Sequence, residues 1–144
     1  MKKNVTFILL VFSCLTYAAN KSSSPLVGSF TSVEIKKGWD KNNQAMKKKY
    51  YKKHVRISGL ATGYHALPGT DKVRITLNDN VYIVGEFNKA IRERIRNSTR
   101  KPKSKRFGGK TKVPKKIRVS LTAVWTSYDL NYLTFVATSD LKVQ

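Results

Sequence analysis

The side chains able to do covalent chemistry are few: two histidines, His54 and His65, one cysteine, Cys14, and eight carboxylates among 144 residues. Nucleophilic or general acid–base catalysis needs a base set against a nucleophile. Here no serine stands in a Gly-x-Ser-x-Gly turn, and the cysteine falls in a leader-like segment. Asp71, Asp79 and Glu86 can surround a cation if two neighbouring strands bring them together. The plainer assignment gives Asp71 to a loop and Asp79 to a hairpin turn, with Glu86 offsetting nearby lysines. Neither an enzyme, a metal site nor a cofactor is expected.

Binding chemistry is better supplied. Lysine and arginine total 29, for a net charge of +21, and a field of that strength draws polyanions. Nine of the cations, Arg100, Lys101, Lys103, Lys105, Arg106, Lys110, Lys112, Lys115 and Lys116, fall in one stretch without an acidic residue, and Arg118 follows. A second group, Lys48, Lys49, Lys52 and Lys53, gathers toward the end of a helical segment. Either group can neutralise phosphates. The competing readings are a solubility loop for the first and a solvated face, favoured by the helix dipole, for the second. Tyr64, His65, Tyr82 and Tyr128 can stack bases while Arg74 and the lysines follow phosphates, with Trp125 and Tyr132 close by in sequence.

The elements that must position these residues are legible from period. Apolar residues at steps of three and four predict a helix over residues 40–53. Strict alternation from Val55 through Gly63 predicts a long first strand, coiled or bulged at its glycines. A loop over residues 65–71 leads to a second strand carrying Val73, Ile75 and Leu77, and Asn78-Asp79-Asn80 makes a tight turn into a third over residues 81–87. Asn88 caps a helix running to about Asn97, whose apolar stripe faces a barrel. The fourth strand alternates from Ile117 to Thr126 and the fifth covers residues 132–138. On these strands Arg74 points outward, and Trp125 shares a face with Leu121 and Ala123, which favours a core position. The face of Tyr82 depends on the hairpin length, and Tyr128, in the last turn, is the exposed aromatic. Three strands, a helix and two strands is the order of the five-stranded Greek-key barrel called the OB-fold, here with an additional N-terminal helix. Its ligands lie across the second and third strands.

The segment Asn42-Asn43-Gln44-Ala45-Met46-Lys47-Lys48-Lys49-Tyr50, followed by His54-Val55-Arg56-Ile57-Ser58-Gly59, resembles the entry to secreted bacterial OB domains of the tRNA-anticodon-like type. Those open with Asn, Ala and Tyr on a helix, then Lys-x-Val-x-Val-x-Gly. The likeness continues through Val73 to Leu77 and Val81 to Phe87 and covers about half the chain. The basic stretch stands where that family has a glycine-containing turn. The resemblance implies an OB architecture and nucleic-acid binding.

Lys2 and Lys3 precede an apolar run over residues 5–12, of leader length and too short to span a bilayer. Residues 1–18 read as a signal peptide, with cleavage after Ala18 or lipidation at Cys14 as the two routes; Phe12 fits a lipid-attachment motif poorly. Residues 19–29 read as a tether and residues 30–144 as one OB-fold-like domain with a basic loop at 100–116. The expectation is a periplasmic or secreted, non-catalytic protein that binds a polyanion, nucleic acid first. The alternative is an envelope component docking an acidic protein, anionic lipid or cell-wall polymer. Secreted thermonuclease-like enzymes are also small, basic and built on this barrel, but their Asp-Gly-Asp-Thr and Arg-Leu-x-x-Ile-Asp-x-Pro-Glu motifs are missing here.

Overall fold

The computed structural model describes residues 25–100, 115–128 and 131–144. The leader with Cys14, most of the tether and the basic-loop residues Lys101, Lys103, Lys105, Arg106, Lys110 and Lys112 lie outside these ranges. Among the described residues seven strands make one sheet: β1 (Ser29–Thr31), β2 (His54–Ala66), β3 (Val73–Leu77), β4 (Val81–Gly85), β5 (Arg118–Tyr128), β6 (Leu133–Ala137) and β7 (Lys142–Val143). Three helices accompany them: α1 (Ser32–Lys41), α2 (Asn43–Tyr50) and α3 (Lys89–Thr99).

The strand order is β1-β2-β3-β4-β6-β5-β7, and β2 also pairs with β5, which closes β2, β3, β4, β6 and β5 into a barrel. The β4–β6 pairing is parallel, and the other pairings inside the barrel are antiparallel. This is the OB-fold. Closure works because β2 is long enough to serve two partners in turn: residues 54–60 pair with β5, and residues 61–66 pair with β3 beyond a bulge between Ala61 and Gly63. Such bulges bend a strand and increase its twist.

Gly59 sits at a close approach. A Cβ there would lie 2.6 Å from Ser32 Oγ and 3.1 Å from Asn78 Oδ1. The same Asn78 oxygen accepts hydrogen bonds from Ser32 Oγ (2.6 Å) and from the Leu60 N–H (3.2 Å). One amide oxygen thus ties the start of α1, the middle of β2 and the β3–β4 turn together.

The helix expected over residues 40–53 is the shorter α2, and a further helix that the apolar spacing did not give, α1, precedes it; the two meet at Asn42. That residue is extended (φ −157°), its N–H donates to Gly38 O, and its side chain accepts from the Ala45 N–H at 3.0 Å. Asn42 therefore ends one helix and begins the next, which a repeat of apolar residues does not reveal. Lys52 follows α2 in the left-handed region (φ 59°), so Lys52 and Lys53 lie beyond the helix. The expected tether also shortens: Val27 N–H donates to His54 O, Arg56 N–H donates to Gly28 O, and Ser29 already belongs to the sheet.

The core is the barrel interior. Ile57, Ile75, Ile83, Leu133 and Phe135 are fully buried, as is Trp125, which stacks on Phe135 and meets Trp39 of α1 edge-on at 5.4 Å. The Trp125 indole N–H is satisfied by Ser127 O at 2.9 Å. Asn88 caps α3 through the Ile91 N–H (2.9 Å), and α3 lies against β2 with Ile95 fully buried.

Candidate functional site

Register decides which side chains share the outer face. His65 pairs with Arg74, Arg74 with Val84, and Val84 with Val136, so these four form a row across β2, β3, β4 and β6. Their neighbours Val73, Ile75 and Ile83 point into the core. In the adjacent row Gly63 pairs with Thr76, Thr76 with Tyr82 and Tyr82 with Thr134. The three-residue turn Asn78–Asn80, with Asn80 at φ 58°, puts Tyr82 opposite Thr76 and so outside.

Arg74 and Tyr82 meet there. The guanidinium, on β3, lies 5.0 Å from the centre of the Tyr82 ring on β4, and Tyr132, entering β6, sits 5.4 Å from the same ring at a 39° tilt. Arg74 is half-buried, and its Nε lies out of solvent with no hydrogen-bond partner. A cation–aromatic–aromatic run therefore crosses β3, β4 and the β6 entrance, the part of an OB barrel across which ligands lie.

Tyr64 and His65 do not act as a pair. The strand runs through both, rather than breaking into a loop at His65, because Tyr64 pairs with the buried Ile75 and His65 with the outward Arg74. His65 belongs to the outer row. Tyr64 turns to the other side, packs against the core and lines a cleft with Lys89, Arg92, Glu93 and Arg96 of α3.

Tyr128 is not the exposed aromatic of a turn that was expected. A second bulge, between Trp125 and Ser127, carries β5 on to Tyr128 and places it opposite the buried Leu133. It packs against Trp39 (5.1 Å) and Tyr51 (5.4 Å), and Lys47 Nζ stands 4.9 Å above its ring. The Tyr128 phenol oxygen beside it holds the Lys47 ammonium above the usual lysine range. Tyr128 thus closes the barrel end near α1 and α2.

Lys48, Lys49, Lys52 and Lys53 are exposed, with Lys49 Nζ 5.2 Å from the Tyr50 ring and Lys52 Nζ 5.6 Å from that of Tyr51. Arg100 ends α3, while Lys115, Lys116 and Arg118 lead into β5, all exposed. Among the described residues the only salt bridge is Lys36–Asp40, so the cations of the face and of α3 have no acidic partner. Among the same residues no three His, Cys, Asp or Glu side chains are grouped to hold a metal ion. Sequence named Tyr132 only as a neighbour of Tyr128, and it did not single out the α3 cations. The spacing of Lys89, Arg92 and Arg96, three and then four residues apart, is the signal that marks one helix face.

No protein-family model matches the chain, and no curated protein matches it in sequence. Among solved structures, a Leishmania major Friedlin protein assigned as an aspartyl-tRNA synthetase aligns with a TM-score of 0.44 and 7% identity, over 89% of this chain and 22% of that one. The chain therefore spans about a fifth of that protein's length. A likeness at this level carries no functional argument, and the OB-fold stands on strand order and pairing.

Proposed function

We propose that this chain is an exported, non-catalytic OB-fold protein that binds nucleic acid with little sequence preference across the outer face of β3 and β4. The observation that carries the reading is the Arg74–Tyr82–Tyr132 run, a cation held in no salt bridge beside two rings on the outer face of the barrel. Aromatic rings hold unpaired bases by stacking, worth about 1–3 kcal/mol per base, and lysines and arginines hold the phosphates. The leader-like residues 1–18 support export, and the resemblance of residues 42–59 to tRNA-anticodon-like domains supports the same class of ligand.

The test is fluorescence anisotropy of a labelled single-stranded oligonucleotide at low and at physiological salt. Binding that weakens steeply with salt is expected, with Tyr82→Ala reducing affinity about tenfold at fixed salt, in line with one lost stack. The oligonucleotide is expected to remain intact after long incubation. Absence of binding at low ionic strength removes the reading.

A second reading, docking on an anionic envelope surface, is favoured by a different observation. Leu26 and Val27 are 44% and 39% exposed, and the Val27 N–H bonds the carbonyl of His54, directly after Lys52 and Lys53. Sedimentation with anionic vesicles after nuclease treatment separates this reading from the first.

A further inference from the structure

Tyr64 is an aromatic residue that the outer face does not use. It forms part of a cleft of about 220 Å³ whose other walls are Lys89, Arg92, Glu93 and Arg96. Three cations and one carboxylate line it, and none of the three cations forms a salt bridge among the described residues. Arg92 and Arg96 stand four apart on α3, and like charges at that spacing destabilise a helix. An anion held between them removes that repulsion. Lys89, Arg92 and Arg96 make one stripe that runs along α3 toward Arg100, where the basic stretch begins.

The cleft also has a defined relation to the outer face. Tyr64 and His65 are successive residues of β2 with side chains on opposite sides, so the two surfaces meet across the thickness of a single strand. A ligand long enough to pass the end of β2 reaches both.

We infer that the Tyr64–α3 cleft is a second nucleic-acid subsite, in which a base stacks on Tyr64 and its flanking phosphates lie on Arg92 and Arg96. It extends the bound strand beyond the outer face of the barrel. This inference rests on the nucleic-acid reading above. It assigns the basic stripe of α3 to the binding path and implies that the occluded length exceeds what the Arg74–Tyr82–Tyr132 run covers.

The experiment compares two single-stranded oligonucleotides, of about 4 and about 12 nucleotides, within the range one such barrel occupies. The full-length protein is tested as wild type, as Arg92→Gln/Arg96→Gln, as Tyr64→Leu, and as the charge-matched control Lys37→Gln/Lys142→Gln, which alters exposed residues of neither surface. For the longer oligonucleotide the arginine double variant is expected to bind about tenfold more weakly. Its salt slope should be smaller by about 1.4, the value for two phosphate contacts on a single strand. For the shorter one, binding stays within about twofold of wild type, as it does for the control at both lengths. Tyr64→Leu keeps apolar bulk and should weaken only the longer complex; the double variant, which changes no core residue, decides the matter if Tyr64→Leu lowers the melting temperature. If the double variant binds the longer strand like wild type, or loses both lengths equally, the subsite is overturned. If the wild type binds neither length, the nucleic-acid reading itself fails, a different result.

Discussion

Tyr82 owes its place on the exterior to a turn of three residues, Asn78–Asn80. A turn of two would have sent the same side chain to the core, which is why its face could not be read from the sequence while that of Arg74, alternating with Val73 and Ile75, could. Trp125 was equally legible from its alternation with Leu121 and Ala123. Tyr128 was not, because the bulge after Trp125 changes the face by one residue and no residue type there announces it. The strictest steric demand belongs to Gly59. A methyl group there would crowd Ser32 Oγ at 2.6 Å and disturb the hydrogen bonds that Asn78 Oδ1 accepts. Gly59→Ala should lower unfolding stability by about 1–3 kcal/mol, the usual cost of forcing a methyl into a packed site. Adding Ser32→Ala, which removes the crowded oxygen, should recover part of the loss in urea titrations. Equal losses in the single and double variants would contradict this account. Trp125→Ala, which empties the centre of the aromatic cluster, should cost about 3–5 kcal/mol by the same measurement.

At the scale of elements, α1 begins with a capping box in which the Thr31 N–H donates to the Glu34 carboxylate at 2.8 Å and the Glu34 N–H donates to Thr31 Oγ1 at 3.2 Å. The Thr31 N–H, and then its hydroxyl, hold the Glu34 carboxyl below the usual carboxylate range. A depressed folded-state value means that this cap stabilises the protein above the unfolded-state pKa of about 4.3 and is lost as pH falls through the lower folded value. Melting temperature measured from pH 6 downward should therefore drop more steeply at the acid end for wild type than for Glu34→Gln. Coincident curves would remove Glu34 from the acid response. The helices themselves show what periodicity conveys and what it omits. Apolar spacing gave away α2, yet it did not give α1 before it, nor Asn42, whose side chain caps α2 and sets the two apart. The strands β1 and β7, three and two residues long, carry no period at all and emerge only from pairing with β2 and β5. The five barrel strands, each at least five residues long, were recognisable from alternation or apolar content, but β2 and β5 run on through residues that read as a loop and a turn.

For the whole molecule, the order of strands and helix was enough to name the barrel, because few topologies accommodate a helix between a third and a fourth strand. The grouping of charge was not, since lysine is the residue most at home on any surface. Which cations converge depends on the register that joins β3 to β4 and on the packing of α3 against β2. Substituting Arg74 by Ala should reduce affinity for short and long single strands alike, with a smaller salt slope by about 0.7 for one lost phosphate contact. A slope unchanged in both would assign Arg74 to stacking with Tyr82 alone.

Closure of the barrel through β2 and β5 has one more consequence. The two longest strands change partners along their length: β2 pairs with β5 over residues 54–60 and with β3 over residues 61–66, and β5 pairs with β2 over residues 118–124 and with β6 over residues 123–128, so no open border runs the whole length of either. Borders so interrupted give another chain little backbone on which to add itself, the usual route to fibrils. A protein whose charge is masked when anions condense on it loses the electrostatic repulsion that keeps copies apart; in this one, the sheet's own geometry continues to guard against self-association.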